Sequence, residues 1–599
     1  MKIMPFRLPS QPFLIAGLLS LWLNAADAAT LAVSPSTISN AYNGYVTLTI
    51  GGLTNTETVL IEKFADANTN GVIDAGDFLV QSFRLTDGQA STIAGVTNIN
   101  VPGDATSANS AITALLNFSA IQPDHIIGKY AFKLSSPSGR FTPVTNIFTI
   151  TNSTYPQSFT GTVKSSGTNV ANAFVILLAV DPSGKINDFG GGTVANNSGS
   201  YTFKTAPGTY LLFAVKSNFV ADFTAPVITL GVSNTITTNL TMLPATARSI
   251  SGKMFDAANT NTVLPGIFLH PQSTNNFIAI GWTGSGGNFT VPVTASKWRL
   301  SPDDADLALH GYVRPHDETN ADTTAVNATN ITFALTKATA LFYGSIKDDL
   351  NNPLVGLFFS ADEDSNQYDS SGSSDASGNY AVAVTSGNWC VNPNADDPRF
   401  SSYVFSQSDC TNITDGQAVR VNFTVKRATN TISGYVKNSG NIPIVGAQVS
   451  ANDETGYQSQ DSITDTNGFY SLNVANGTWH VYPNCGCGDC DHDLNKMGYQ
   501  CVNEQIVNIS NNNGVASFTV LLLGEPVLGQ LIHLSNGQVG AYLSGTVGSN
   551  YTILVSTNIT LPMANWSPVF VTNLTTSPVL LVDPQPTNRQ LFYRALLGP

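Results

Sequence analysis

Short runs of alternating apolar and polar residues dominate the chain and predict β-strands. Within residues 429–524 these runs are TISGYV, IVGAQVSA, FYSLNV and TWHVYP, and turn sequences rich in Asn, Asp, Pro and Gly separate them. Alternation in the last run places Trp479 and Val481 on one face of the strand and His480 and Tyr482 on the other. We therefore expect Trp479 in a core and His480 and Tyr482 nearer the surface.

This pattern recurs at intervals of about 90 residues, which is typical of a repeat protein. Each copy has a strand with an early glycine and, further on, two aromatic residues nine positions apart. The glycines are Gly161, Gly252, Gly344 and Gly434, and the aromatic pairs are Tyr201/Tyr210, Phe289/Trp298, Tyr380/Trp389 and Tyr470/Trp479. Their fixed positions predict that the paired aromatic residues belong to the core. Trp282 lies outside the pattern and is predicted to be exposed.

The repeats carry motifs that identify a family resemblance. Repeat four contains Gly434 followed by Pro443-Ile-Val-Gly-Ala and Asp465-Thr-Asn-Gly-Phe-Tyr, and repeat three contains Pro353-Leu-Val-Gly and Asp375-Ala-Ser-Gly-Asn-Tyr. These segments resemble the carboxypeptidase regulatory-like module, a prealbumin-type sandwich that is also grouped with carbohydrate-binding-like folds. The resemblance covers residues 156 to 524. It implies a β-sandwich for each repeat and says little about function, because such modules are attached to many different proteins.

The predicted fold class is all-β, a tandem array of small β-sandwich domains. Four carboxypeptidase regulatory-like repeats would be flanked by an N-terminal β domain and a small C-terminal β module. The C-terminal segment resembles a domain common in secreted bacterial proteins through Tyr551–Asn558, Trp566 and Phe592–Ala595. The predicted boundaries are 1–29 for a signal peptide, 30–155 for the N-terminal domain, 156–246, 247–338, 339–428 and 429–524 for the repeats, and 525–599 for the C-terminal module.

The beginning of the chain has the features of a secretory signal peptide. Lys2 and Arg7 precede an apolar stretch from Phe13 to Leu23, and small residues follow up to Ala29. No later stretch approaches the roughly 20 apolar residues of a transmembrane helix. We expect an exported protein, secreted or held at the cell surface, without a transmembrane segment after signal cleavage.

Composition changes the picture in two respects. Charged residues make up only 11% of the chain, against roughly 25% in an average protein, which suits short strands joined by many turns. The 26 basic and 40 acidic residues give a formal net charge of −14. Such a chain offers no broadly basic surface for a polyanion, so we expect no nucleic-acid partner.

The segment from Asp66 to Asp77 matches the EF-hand loop pattern for calcium. Oxygen-bearing positions fall at loop places 1, 3, 5, 7, 9 and 12, and Gly71 stands at place 6. The predicted ligands are Asp66, Asn68, Asn70, Val72 through its backbone carbonyl, Asp74 and Asp77. Asp77 replaces the usual bidentate glutamate, and the flanking sequences predict strands rather than helices. The alternative is a metal-free polar hairpin; if calcium binds, its expected role is to brace the loop.

All six cysteines fall in repeats three and four, at Cys390, Cys410, Cys485, Cys487, Cys490 and Cys501. In an exported chain this even number predicts disulfides. We expect one bridge between Cys390 and Cys410 and two among the other four, where three pairings are open. The alternative is a zinc site made from Cys485, Cys487 and Cys490 with His492 or Cys501.

Acidic loops follow the tryptophan of repeats two, three and four. They contain Asp303, Asp304 and Asp306, then Asp396 and Asp397, then Asp489, Asp491 and Asp493. Loops at one end of successive sandwiches commonly carry binding, so these carboxylates are candidate ligands for calcium or for sugar hydroxyls. The alternative is that they are solvated turns.

Catalytic motifs are lacking in the sequence. There is no His-Glu-x-x-His, Gly-x-Ser-x-Gly or phosphate-binding loop, and the closest histidine pair, His310 and His316, is interpreted as part of a polar turn. We predict a secreted, non-catalytic adhesion or scaffold protein whose partner is a polysaccharide or a cell-surface protein. The second hypothesis is a protein that binds polysaccharide through the Asp-rich loops, and the third is an accessory part of an extracellular hydrolase system.

Overall fold

The computed structural model describes residues 28–119, 122, 125–180, 186–222, 227–245, 247–406, 410–486, 492–535, 538–583 and 590–598. Strands dominate these residues, and paired sheets recur along the chain. The all-β class and the tandem sandwich architecture are therefore confirmed. Across the described ranges, no helix has the length and apolar character needed to cross a bilayer.

The N-terminal domain consists of two facing sheets, ordered β1-β3-β8 and β2-β10-β9-β4-β5, with a small β6-β7 hairpin. Its strands are β1 (Thr30–Ser34), β2 (Thr37–Ser39), β3 (Tyr45–Gly51), β4 (Thr58–Asp66), β5 (Phe78–Thr86), β6 (Thr92–Ile93), β7 (Val96–Thr97), β8 (Ile112–Asn117), β9 (Gly128–Ser135) and β10 (Val144–Thr151). Alternate residues of these strands are buried, including Phe132 and Phe148. The predicted calcium loop is the connection of the β4-β5 hairpin.

Repeats one and two share this two-sheet construction. The strands of repeat one are β11 (Ser158–Ser165), β12 (Thr168–Asn169), β13 (Phe174–Val180), β14 (Ile186–Val194), β15 (Ser200–Phe203), β16 (Gly208–Val215), β17 (Phe219–Asp222), β18 (Ile228–Leu230), β19 (Thr235–Thr237) and β20 (Leu240–Pro244). Those of repeat two, with its helix, are β21 (Arg248–Asp256), β22 (Asn259–Val263), β23 (Phe268–Leu269), β24 (Gln272–Ser273), β25 (Phe277–Ile278), β26 (Gly281–Trp282), β27 (Asn288–Val293), β28 (Lys297–Leu300), α1 (Asp304–His310), β29 (Tyr312–Pro315), β30 (Thr319–Asp322) and β31 (Ala328–Lys337).

Repeats three and four and the C-terminal module complete the array. Repeat three has β32 (Ala340–Asp348), β33 (Phe358–Glu363), β34 (Tyr368–Ser373), β35 (Asn379–Val384), β36 (Gly387–Pro393), β37 (Tyr403–Ser406), β38 (Thr411–Ile413), β39 (Ala418–Arg420) and β40 (Phe423–Arg427). Repeat four has β41 (Asn430–Asn438), β42 (Gln448–Asp453), β43 (Tyr457–Gln458), β44 (Ser462–Ile463), β45 (Phe469–Val474), β46 (Gly477–Pro483), β47 (Gln505–Ile509), β48 (Gly514–Val515) and β49 (Phe518–Val520). The module has β50 (Val527–His533), β51 (Val539–Ser544), β52 (Asn550–Ser556), β53 (Ser567–Asn573), β54 (Val579–Asp583) and β55 (Phe592–Leu597).

The paired aromatic residues lie in the cores, as predicted. Trp298, Trp389 and Trp479 are at most 1% exposed, and each indole N–H donates to the carbonyl oxygen four residues earlier. The prediction that Trp282 is exposed is wrong. Its ring packs against Phe78, Phe174 and Phe268, with centroid distances of 5.3, 5.8 and 5.0 Å.

Sheets run from one repeat into the next. The orders β12-β11-β20-β17-β25-β24-β28-β30, β22-β21-β31-β29-β34-β33-β36-β38 and β35-β32-β40-β37-β43-β42-β46-β47 each join two consecutive repeats. In each sheet one strand, β17, β29 or β37, joins the two repeats. Its first residues pair with the last strand of its own repeat, and its last residues pair with a strand of the following repeat. We call these three the junction strands.

The N-terminal domain contacts three repeats rather than standing apart at one end. The backbone of Ile127 pairs with β14 of repeat one. Asn100 donates to the carbonyl of Ala381 in repeat three at 2.7 Å, and the Tyr45 hydroxyl donates to Asp375 at 2.8 Å. Repeat two joins through the aromatic cluster around Trp282, so the array folds around the N-terminal domain.

Candidate functional sites

The β4-β5 hairpin brings the predicted calcium ligands together. Backbone N–H groups of Asn70 and Gly71 donate to the two carboxylate oxygens of Asp66, at 3.0 and 2.8 Å. The side-chain amides of Asn68 and Asn70 both donate to one oxygen of Asp74, at 2.9 and 2.8 Å. The oxygen-bearing side chains therefore converge on the interior of the loop.

Asp77 closes the loop at its twelfth place. Its carboxylate accepts from the backbone N–H groups of Ala67 and Asp74, at 3.2 and 2.9 Å. Burial raises the pKa of Asp77, and the charges of Asp74 and Asp66 add to that effect. The pKa of Asp74 is lowered, first by the Gly76 N–H and then by the two asparagine amides. The charges of Asp74 and Asp66 therefore lie close enough to act on the Asp77 carboxyl group.

The donor set suits a hard cation. Carboxylate, side-chain amide and backbone carbonyl oxygens are the ligands that Ca²⁺ takes, and the Val72 side chain points to solvent with 64% exposure, leaving its carbonyl as the usable group. Within the described ranges no cluster of three or more His, Cys, Asp or Glu side chains has the geometry to hold a metal. A cation in this loop would therefore also need asparagine and backbone oxygens as ligands. Calcium binding stays a prediction.

Disulfides hold the loops that follow the tryptophan strands of repeats three and four. Cys390 bonds Cys410, as predicted, and Cys485 bonds Cys501. The second bond removes Cys485 and Cys501 as thiolate ligands, which contradicts the zinc alternative built on them. Cys487 and Cys490 lie outside the described residues, so their predicted bridge stays a prediction.

Several carboxylates of the Asp-rich loops satisfy backbone groups. Asp303 caps α1 by accepting the N–H of Asp306, and Asp306 accepts the N–H of Phe268 at 2.7 Å while it is 1% exposed. Asp397 caps a short 3-10 turn and forms an ion pair with Arg399. These arrangements favour a structural role for all three residues.

The other five candidates of the Asp-rich loops differ in their surroundings. Asp493 is buried and accepts the N–H groups of Asn495 and Lys496. Asp304 lies in the first turn of α1, and the Asp396 N–H donates to Asn394. Asp489 and Asp491 lie outside the described residues. A ligand-binding role for these loops stays a prediction that the local geometry does not specifically favour.

The junction strands are structural elements that the sequence pattern does not predict. Tyr312–Pro315 lies in HGYVRPH, a segment predicted to be a polar turn, and it is β29 in the structure. At this junction Arg314 forms an ion pair with Asp369, and His316 approaches the same carboxylate at 3.0 Å. A signal was present, because Phe219, Tyr312 and Tyr403 begin the three junction strands at the repeat interval.

The structure is that of a multidomain β-sandwich protein whose consecutive repeats share β-sheets. No family model matches the chain, and no curated protein matches it. Solved structures with similarity include the Bacillus anthracis TIE protein (13% identity, 67% of this chain and 75% of that chain, TM-score 0.15). A streptococcal ancillary pilin (10%, 46% and 98%, 0.17) and BcpA, the major pilin subunit of Bacillus cereus (11%, 46% and 98%, 0.14), are similar at the same level. Likenesses of this size do not identify a function.

Proposed function

We propose that the protein is a non-catalytic scaffold or adhesion protein of the extracellular space or cell surface. The observation that carries this proposal is the set of sheets shared between consecutive repeats. Each junction strand links two repeats through main-chain hydrogen bonds, which ordinary linkers between domains do not provide. An array joined in this way resists bending and pulling as one body, which suits a load-bearing display or attachment role.

The cysteine chemistry supports the proposed location. Disulfides such as Cys390–Cys410 and Cys485–Cys501 persist in oxidising compartments outside the cytosol. The predicted signal peptide, which lies outside the described residues apart from its last two positions, agrees with export. We also propose that the repeats belong to the carboxypeptidase regulatory-like family. This part of the proposal rests on the sequence motifs.

Calcium is the proposed structural cofactor, held by the loop from Asp66 to Asp77. Phe78 follows the last ligand and begins β5, where its ring contacts Phe174 of repeat one at 5.4 Å and Trp282 of repeat two at 5.3 Å. A bound cation would fix the position of Asp77 and therefore of Phe78. Calcium would brace the contact between the N-terminal domain and the first two repeats.

The proposal is tested on cells that make the protein. Protease added to intact cells should remove the protein, and a strain without it should lose attachment to its polysaccharide or protein-coated substratum. Re-expression of the full chain should restore attachment. A protein that is found only inside intact cells, protected from protease, would rule out the proposed role.

A further inference from the structure

A cavity of about 410 Å³ lies where the N-terminal domain, repeat one and repeat three meet. Tyr42 and His125 come from the N-terminal domain, Pro207 from repeat one and Arg399 from repeat three. Ligand sites have volumes of roughly 300 to 1,000 Å³ and occur preferentially at domain interfaces. The cavity is lined by none of the calcium-loop residues and by none of the Asp-rich candidates, although Pro398 and Arg399 directly follow Asp397.

Aromatic rings form much of the wall. Tyr42 and Tyr155 are half-buried, and His125 stacks on Phe118 with a centroid distance of 4.0 Å and an interplanar angle of 15°. Such rings combine a flat apolar face with a polar edge. A ligand that presents a C–H face beside hydroxyl groups would match this wall.

Polar groups without protein partners lie among these rings. The Ser119 hydroxyl is buried, on a residue that is 2% exposed, and it has no hydrogen-bond partner among the residues that the structure describes. Within the described part of the chain, no residue hydrogen-bonds the Tyr155 hydroxyl or the Asn43 side chain. A buried polar group without a partner costs about 1 to 3 kcal/mol. A hydroxylated ligand or ordered water would supply the missing hydrogen bonds.

The charge of the cavity is locally compensated. The Arg399 guanidinium donates to both carboxylate oxygens of Asp397, with Nε distances of 3.1 and 3.0 Å, and to the carbonyl of Gly356 at 2.8 Å. An arginine so engaged has little capacity left for an anionic ligand. The chemistry therefore favours an uncharged, hydroxyl-rich molecule over a phosphate or carboxylate.

We propose that this cavity binds a neutral saccharide unit, one or two sugar rings in size, by ring stacking on Tyr155 and Tyr42 and by hydrogen bonds to the unpartnered polar groups. The proposal does not depend on the scaffold role. A ligand here would touch three domains at once and would hold them together, so binding should also raise the melting temperature.

The test is calorimetric titration of the full chain with glucose, galactose, N-acetylglucosamine, cellobiose and lactose. At least one of these sugars should bind, and Tyr155→Ala should weaken that binding tenfold or more. Tyr155→Phe keeps the ring for stacking and removes only the hydroxyl, so it should lose less affinity than Tyr155→Ala. Melting curves without sugar identify any variant that has lost its fold.

Tyr435→Ala serves as the matched control, because Tyr435 is a 43% exposed tyrosine on repeat four, which contributes no residue to the cavity. It should bind sugar as the unmodified chain does. Absence of binding by all five sugars would overturn the proposal. Binding that Tyr155→Ala leaves unchanged, or that Tyr435→Ala abolishes, would place the sugar elsewhere and would overturn it equally.

Discussion

The hydroxyl of Tyr380 donates a hydrogen bond of 2.8 Å to the carbonyl oxygen of Val421. A Cβ on Gly344 would overlap that same oxygen, which explains why the repeat has glycine at this position. Tyr201 and Tyr470 make the corresponding bonds to Thr238 and Ala516, at 2.6 Å each. Glycine, carbonyl and tyrosine therefore form one packing unit in these repeats.

Gly344→Ala is expected to destabilise repeat three by about 2 to 3 kcal/mol, because the added methyl group must displace the backbone at Val421. Scanning calorimetry of the full chain would show the transition that contains repeat three at lower temperature. Gly284→Ala is the control, since a Cβ there meets its nearest neighbour at 3.7 Å. Equal melting curves for the two variants would contradict the explanation.

Removal of the Cys390–Cys410 bond by the double change Cys390→Ser and Cys410→Ser should lower the free energy of unfolding by about 3 kcal/mol, since the bond closes a loop with a sequence separation of 20. Urea unfolding followed by tryptophan fluorescence measures the change. Adding reductant to the unmodified chain should cause a loss at least as large, because it also reduces the Cys485–Cys501 bond.

Residues with local signals were predictable from the sequence. Trp389 and Tyr380 are core residues because strand alternation and the repeat interval both assign them to the buried face. The hairpin from Asp66 to Asp77 follows from its turn composition between apolar runs. These features depend on interactions within one repeat or one hairpin.

Features that depend on contacts between domains were not predictable. Trp282 falls outside the repeat pattern, and its partial burial arises from Phe78 and Phe174, which belong to two other domains. The helix α1 was missed because Asp303-Asp304-Ala305-Asp306 has the composition of a turn, and its capping and its contact from His310 to the Ser82 carbonyl become visible only in the fold.

Ser406→Pro should uncouple repeats three and four. Ser406 is paired with Tyr457 across the junction, and proline both removes an N–H group and restricts the backbone of β37. Hydrogen exchange should become faster in β37 and β43 and stay unchanged in β41 and β45. Val232→Pro, placed at an exposed turn position before Ser233, is the control and should leave exchange at the junction as it was.

The junction between repeats two and three should weaken as pH rises through the folded pKa of His316. The Asp369 carboxylate raises the pKa of His316 through a hydrogen bond and its charge. Stability from this pair is fully present below the unfolded histidine pKa of about 6.5 and is lost as pH rises through the higher folded value. His316 is about half exposed, so solvent screening keeps the effect small.

His316→Gln is expected to flatten that pH dependence, since glutamine keeps a polar side chain without titrating in this range. Thermal melting between pH 5.5 and 8.5, a range that extends about one unit below and about two units above the unfolded pKa, measures the slope. A slope that is the same in both proteins would assign the pH dependence to other groups.

Calcium should stabilise the protein through the loop from Asp66 to Asp77. Free calcium at about 100 times the dissociation constant would add about 2.7 kcal/mol to the stability of the folded state. In the metal-free loop the raised pKa of Asp77 means that its ionised form opposes folding once pH exceeds the unfolded value of about 3.9. A cation offsets this repulsion, so the stabilisation by calcium should grow as pH rises through the folded pKa of Asp77.

Scanning calorimetry in calcium and in EDTA measures this stabilisation, and the change Asp74→Asn tests its origin. Asp74 accepts both asparagine amides at the centre of the loop, so its neutralisation should remove most of the calcium response. Asp415→Asn, at an exposed turn of repeat three, is the control and should respond to calcium as the unmodified chain does. A melting temperature that calcium leaves unchanged would show that the hairpin is held by its own hydrogen bonds, and that Phe78 is positioned without a metal.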